Sequence, residues 1–410
     1  RRVPAAIIHC NSKPQEQPSA IRSGAASLLA GIASPSSRIA IQCAAMQALE
    51  RTLYRSVRRL AQHLDASAAR RGALTALPAN YYDRQARMVV DMDLPERDAD
   101  DAARAADDAV DHLVREANGG REFYVPGRGE ALTAALTRAA REFESESFDG
   151  AELGMAALRR LGRVAALAGA MNSRRGGLRA RNPSELPLVL DDASPVSVGD
   201  VLVAHPMSCL SQPTLHGAVI LLVAAEEAPA DDESFEASGD PPQLGREGGF
   251  VMGLVVNKRS GVTLADAATE HGMAALDNEL LASELFVGGD VSSRTLTGVS
   301  DVADDRVSGP PNWFTDDVTS MESGTSRIFC GYCGWSVAQL QNELDRGVWF
   351  RAQAAHTVAL APVADDSGTD VWRSALSACG FPELADLAVS HKAVLEAFSA
   401  VDGPAASSSE

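Results

Sequence analysis

Two cysteines three residues apart, in Cys330-Gly331-Tyr332-Cys333, are the first side chains in this sequence that could do chemistry. A pair at that spacing ahead of a helix can form a redox-active disulfide, because the helix N-terminus stabilises the thiolate. The βαβ pattern and downstream cis-proline signal of thioredoxin-like redox pairs are missing around it. The plainer reading makes Cys330 a small apolar residue at a strand end, since free cysteine is among the most buried residue types. Zinc requires about four ligands at constrained spacing. With no second C-x-x-C and no H-x(3–5)-H in the chain, the sequence predicts no metal site. It offers no cofactor motif either.

A second constellation is His205, Cys209, Ser211 and His216. An imidazole beside a thiol or hydroxyl is the raw material of nucleophilic catalysis. No G-x-S-x-G elbow surrounds any serine, and neither histidine has an evident orienting acid. His205 follows an apolar run, where a hydrogen-bonded structural histidine is the commoner outcome. Gly245-Arg-Glu-Gly-Gly249 and Val287-Gly-Gly-Asp290 lack the context that cradles phosphate, so both read as tight turns. Asn257-Lys258-Arg259 ends a predicted strand, and strand-end loops are where open sheets usually meet ligands.

These residues need elements to hold them. Phe329–Phe350 joins an apolar run, a glycine-aromatic turn and an amphipathic segment, a strand-to-helix unit. Ser336-Val-Ala-Gln339 is a capping-box pattern; Val337, Leu340 and Leu344 form an apolar stripe, and Gly347 stops the helix. Buried strands are predicted at 200–204, 217–224, 249–256, 284–287 and 327–332. Helices are predicted between them at 264–270, 273–281 and 336–345, with a last pair after Asp370. Asp231–Gly245 reads as an exposed acidic loop. The first half is helical: Leu53, Val57, Leu60 and Leu64 share one face, and further helices are expected at 102–116, 130–143 and 154–171. The last places Met155, Leu158, Leu161, Val164 and Leu167 on its apolar stripe.

The 410 residues have room for two or three domains, and the net charge of −18 is unevenly spread. Residues 1–186 carry 27 basic against 22 acidic side chains, whereas residues 187–400 carry 10 against 31. That places a boundary near residues 174–184 and argues against nucleic-acid binding by the acidic C-terminal part, because phosphate affinity comes from clustered Lys and Arg. Six scattered cysteines do not form a disulfide framework, which points to a reducing compartment. No apolar run approaches the roughly 20 residues that span a bilayer, so no membrane association is expected. Residues 1–49 hold one acid, Glu16, among many Ala, Ser and Arg, the composition of a transit peptide or a disordered extension. A transit peptide would place the protein in the chloroplast; otherwise the cytoplasm is expected. The expected organisation is an extension at 1–49, a helical region at 50–172, a linker at 173–189, an α+β domain at 190–400 and a disordered tail at 401–410.

Five blocks in order resemble the AlgH/YqgE family. Val201-Leu-Val-Ala-His-Pro206 with Ala218-Val-Ile-Leu-Leu222 is similar to its opening strands, and Gly253-Leu-Val-Val-Asn-Lys258 to its G-[LI]-[VI]-[LV]-N-[KR] strand. Leu285-Phe-Val-Gly-Gly289 resembles its apolar-GG turn. Gly331-Tyr-Cys-Gly-Trp335 with Gln339, Leu340, Glu343 and Trp349 resembles its G-Y-A-x-W…Q-L…E…W block, and Val371–Leu376 its closing helix. The chain departs from the family at Gln212-Pro213, at Asp290 and at Cys333, where Asp-Pro, Pro and Ala are usual. The resemblance covers roughly 190–380. It implies an α+β domain with an irregular mixed sheet, preceded here by the helical region, and it brings no established activity. One bacterial member's name points to regulation of alginate production. Asn257, Lys258, Gly288, Gly289, Trp335 and Gln339 form the candidate binding surface, with Cys330 and Cys333 as the alternative redox pair. The expected function is a non-enzymatic regulatory or interaction role with an unidentified protein partner. The competing expectation is a hydrolytic or thiol-redox enzyme built on 205–216 or 330–333.

Overall fold

The first helix, α1 (Pro35–Asp65), begins ahead of the helical region expected from residue 50. Its first residue is a proline, whose fixed φ suits the first helical position, and an alanine-rich run follows. The computed structural model describes residues 35–75, 101–143, 150–174, 188–190, 195–226, 249–271, 278–300, 314–315, 318, 321, 326–353, 356–364 and 366–402. The Asp231–Gly245 loop, most of the 173–189 linker and nearly all of the tail after residue 400 lie outside these residues. Arg1–Arg55 and Ser56–Glu410 form two units. Of the first, only the opening part of α1 is described; the architecture below belongs to the second.

Helices α2 (Ala68–Gly72), α3 (Asp101–Ala117), α4 (Leu132–Phe143) and α5 (Gly150–Ser173) follow. Val57 and Leu64 on α1 and Leu161, Val164 and Leu167 on α5 are buried at helical spacing, as the periodicity predicts, and Val110 and Val114 on α3 are buried with them. Met155 is exposed. The buried face of α5 turns instead through the small residues Ala156 and Ala157 and through Arg160, which pairs with Asp111 and donates to the Thr75 carbonyl at 2.7 Å. Helix α4 takes its cap from a distance. The Asp65 carboxylate accepts the Leu132 and Thr133 amides at 2.9 and 3.0 Å, satisfying two donors at the helix start.

The second half builds one mixed sheet of ten strands. They are β1 (Val189–Leu190), β2 (Asp200–Ala204), β3 (Val219–Glu226), β4 (Phe250–Val255), β5 (Arg259–Thr263), β6 (Glu284–Val287), β7 (Val291–Ser300), β8 (Phe314–Thr315), β9 (Ser326–Ser336) and β10 (Trp349–Gln353). The order is β1-β10-β2-β3-β4-β9-β6-β5, with β7 paired to β9 and β8. Among the described residues the strand pairings are antiparallel except β6 with β9. Strand β9 changes partners along its length: its first half lies between β6 and β7, and residues 333–336 pair with β4. Gly331, at φ 75°, sits at the changeover, in a region that favours glycine.

Helices α6 (Leu264–His271), α7 (Asn278–Leu281), α8 (Val337–Arg346), α9 (Thr369–Ala378) and α10 (His391–Asp402) complete the fold. One hydrophobic cluster runs from the helical half (Val57, Leu161) through the sheet (Ile220, Leu254) to α10 (Val394, Phe398). A second, smaller cluster holds Leu264, Leu280, Leu285, Leu296, Val318 and Ile328. This is the α+β architecture with an irregular mixed sheet and leading helices that the sequence predicts.

Candidate binding groove

The turn from β9 into α8 is built by its own side chains. Ser336 Oγ accepts the Gln339 amide at 3.1 Å, capping the helix, and Gly347 ends it at φ 79°. Leu340 is buried and Leu344 partly so, but Val337 in the first turn is exposed. Gln339 and Glu343, four residues apart, share one face of α8. Glu343 Oε2 accepts from Trp335 Nε1 at 3.1 Å and Trp349 Nε1 at 2.7 Å, while Oε1 accepts from Gln339 Nε2 at 3.0 Å. The two indoles meet edge to face, 6.2 Å between centroids. The Trp…Gln…Glu…Trp spacing is thus a hydrogen-bonded knot tying β9, α8 and β10 together.

Beside this knot lies a cavity of about 250 Å³. One wall is Trp335 with Gln339. The second is the loop after β2, through Cys209 and Gln212, and the third is the β6–β7 turn, through Asp290 and Val291. Phe123 closes an end. It comes from the helical half, where the 121–124 segment docks on the end of α8. The Phe123 amide donates to the Arg346 carbonyl at 3.1 Å, and Arg346 pairs with Glu122 at 2.7 Å. Among the described residues, only two non-glycine residues have positive φ: Cys209 at 55° and Ser292 at 49°. Cys209 lines the groove, and Ser292 follows its Val291 lip.

Burial dominates the electrostatics. The Cys209 thiol is pushed up to about 12 by burial, with Glu343 and Asp290 adding to the rise and Ser208 and Lys258 opposing it. Cys333, on the groove floor, is likewise pushed up by burial and Asp290, and its thiol donates to the Gly288 carbonyl at 3.7 Å. Burial pulls the Lys258 ammonium down to about 8; it donates to the Pro213 and His216 carbonyls, each at 2.6 Å. His205 and His216 are both lowered to about 3 by burial, so both are neutral near pH 7. His205 Nδ1 accepts the Met207 amide at 3.1 Å, which leaves Nε2 carrying the proton it donates to the Tyr124 carbonyl at 3.0 Å. His216 Nδ1 faces the Ser208 carbonyl at 3.1 Å and so carries its proton there. At pH 7 the thiols are protonated, the form least suited to nucleophilic attack, and the imidazoles are neutral but hold a proton too weakly to be effective bases.

The predicted binding residues divide into two sets. Trp335 and Gln339 face the groove. Asn257 is fully buried: its Oδ1 accepts the Val219 amide, and its Nδ2 donates to the Gly217 and Gly368 carbonyls, all at 2.9 Å. Gly288 and Gly289 pass so close to the backbone of residues 331–333 that no Cβ fits. Lys258 is held among loop carbonyls, within electrostatic reach of Cys209 and Cys333. Cys330 and Cys333 are not joined in a disulfide. Cys330 packs with the smaller hydrophobic cluster and Cys333 with the larger. The fold brings Cys333 to the same groove as Cys209, from far away in sequence. Phe123, Cys209, Gln212 and Asp290 were outside the predicted set, although the family departures at Gln212, Asp290 and Cys333 all fall on the groove. Among the described residues no group of three or more His, Cys, Asp or Glu is arranged to hold a metal ion, and no helix is long and apolar enough to cross a membrane.

Residues 246–383 match the family described as AlgH-like, DUF179. A UPF0301 protein of Streptomyces avermitilis is 28% identical over 193 residues, covering 43% of this chain and 84% of that protein. Among solved structures, the crystal structure of protein DIP2367 from Corynebacterium diphtheriae aligns at 22% identity and a TM-score of 0.32, over 49% of this chain and 94% of that one. The solution structure of the AlgH protein from Pseudomonas aeruginosa aligns at 19% identity and a TM-score of 0.32, over 47% and 93%. The resemblance drawn from the five sequence blocks and the matched segment agree: residues 246–383, which contain β9, α8 and the tryptophan knot, are similar to the AlgH-like family.

Proposed function

We propose that this protein is a non-enzymatic interaction module with a regulatory role, and that the groove between Trp335, Cys209 and Asp290 is its recognition element. The observation that carries this reading is the left-handed backbone at Cys209 and Ser292. Such residues cost on the order of 1 kcal/mol or more and cluster where a fold is shaped for contact with something else. The protonated thiols of Cys209 and Cys333 on the groove support binding over turnover. The partner is a protein segment.

A photo-cross-linking residue at Val291, exposed on the groove lip, tests this in extracts of the native cell. Discrete cross-linked proteins are expected, lost in Gln339→Arg and absent when the cross-linker replaces Met155, which is exposed on α5 and outside the groove. Turnover of an ester or disulfide substrate by purified protein, abolished by Cys209→Ser, would replace this reading with an enzymatic one. Plastid import of the chain rests on the composition of residues 1–49. Fusing them to a fluorescent protein tests it, and diffuse cytoplasmic signal rejects it.

A further inference from the structure

The groove's size and charge narrow what it can hold, given the interaction reading above. At about 250 Å³ it falls below the roughly 300–1,000 Å³ of pockets that take cofactors and drug-sized ligands, so it suits a single side chain. Its aromatic wall is Trp335, and two carboxylates, Glu343 and Asp290, line it. The hydrogen-bond donors to Glu343 are two indoles and an amide, all neutral. The groove's own cation, Arg346, already gives its Nε and Nη2 to Glu122 Oε2 at 2.9 and 2.7 Å. Lys258 is occupied by two backbone carbonyls. The cavity is therefore aromatic on one side and anionic, with its neighbouring cations engaged elsewhere.

We propose that the groove receives one arginine side chain from a segment of a partner protein. A guanidinium satisfies the site in three ways: its flat face packs on an indole, its forked donors match a carboxylate, and its charge complements Glu343 and Asp290. Lysine offers the charge without the fork or the flat face. The net of −21 over residues 187–400 adds long-range attraction for a basic segment.

The test uses the full chain and capped alanine-based peptides carrying one central arginine, lysine, citrulline or glutamate, with tryptophan fluorescence and calorimetry as readouts. The arginine peptide is expected to bind saturably, with half-saturation on the order of 1 mM or tighter. Citrulline, the same shape without charge, is expected to bind at least about tenfold more weakly, as loss of a charge-assisted hydrogen bond requires. Lysine falls between them, and glutamate does not bind. Binding is expected to weaken as salt rises. Gln339→Arg, an exposed position where arginine is a good helix former, places an internal guanidinium beside Glu343 and should abolish peptide binding without lowering thermal stability. Asp290→Asn, also exposed, should weaken it severalfold.

Equal affinity for arginine and citrulline, or no saturable arginine binding, overturns the proposal. So does wild-type affinity in Gln339→Arg. If arginine peptides fail while Gln339→Arg still removes the Val291 cross-links, the ligand class is wrong and the groove remains the interaction site. If the cross-links are indifferent to Gln339→Arg, the interaction reading itself fails.

Discussion

Acidification from pH 7 to pH 5 should cost this protein a large part of its stability, through two imidazoles. His205 and His216 are buried and neutral, with folded values near 3 against 6.5 for an ordinary histidine. Below pH 6.5 the unfolded chain takes up protons that the folded chain refuses. The stabilisation is present above 6.5 and is lost as the pH falls toward 3. At pH 5 the unfolded imidazole is 1.5 units below its own value, which is worth about 2 kcal/mol per residue at about 1.4 kcal/mol per unit. The figure hardly depends on the folded value, so long as that lies below about 4. Together the pair loses about 4 kcal/mol, against a total stability of roughly 5–15 kcal/mol for folded domains. Urea unfolding followed by tryptophan fluorescence at pH 7, 6 and 5 measures this directly. His216→Asn keeps a donor near the Ser208 carbonyl and removes the titration; it should start less stable and lose only about 2 kcal/mol over the same range. A wild-type loss under about 1 kcal/mol, or an unchanged slope in the variant, refutes the argument.

Asn257→Ala should destabilise by about 3 kcal/mol or more, because it strands the Val219 amide and the Gly217 and Gly368 carbonyls in the core; a fall in denaturation midpoint below that expected for about 1 kcal/mol would deny the residue its architectural role. Under native conditions at pH 8, Cys333 and Cys379 should resist a thiol reagent until the chain is unfolded, since burial raises both thiols. Intact mass should show no internal disulfide between Cys330 and Cys333; a two-proton mass deficit mapping to that pair would revive the redox reading.

Much of this fold is written locally. Residues 200–204 and 284–287 are strands because each is an apolar run between turn signals, and Ser336 and Gly347 bound α8 through caps that act within one helical turn. Strand β7 was not predicted: Val-Ser-Ser-Arg-Thr-Leu-Thr-Gly-Val-Ser has no apolar run or clean alternation, and it becomes a strand by pairing with β9. Strand β10 was hidden between a helix stop and a polar stretch, although four of its five residues are buried. The start of α4 depends on Asp65, which no local pattern reveals. The groove was half legible. Trp335 and Gln339 lie in the block with the strongest signature, but Phe123, Cys209 and Asp290 reach it through tertiary packing alone. Asn257 was misleading for a physical reason: a polar residue at a strand end looks like a ligand contact until its three hydrogen bonds prove internal.

The wall contributed by Phe123 bears on how such a protein can evolve. The family match spans residues 246–383, which includes the tryptophan knot and the Asp290 lip but neither Phe123 nor Cys209. Substitutions in the helical half can therefore reshape one end of the groove without touching the segment by which kinship is recognised. Two chains could share the matched segment and differ at that end of the groove, so the shape of the groove can vary while the scaffold stays the same.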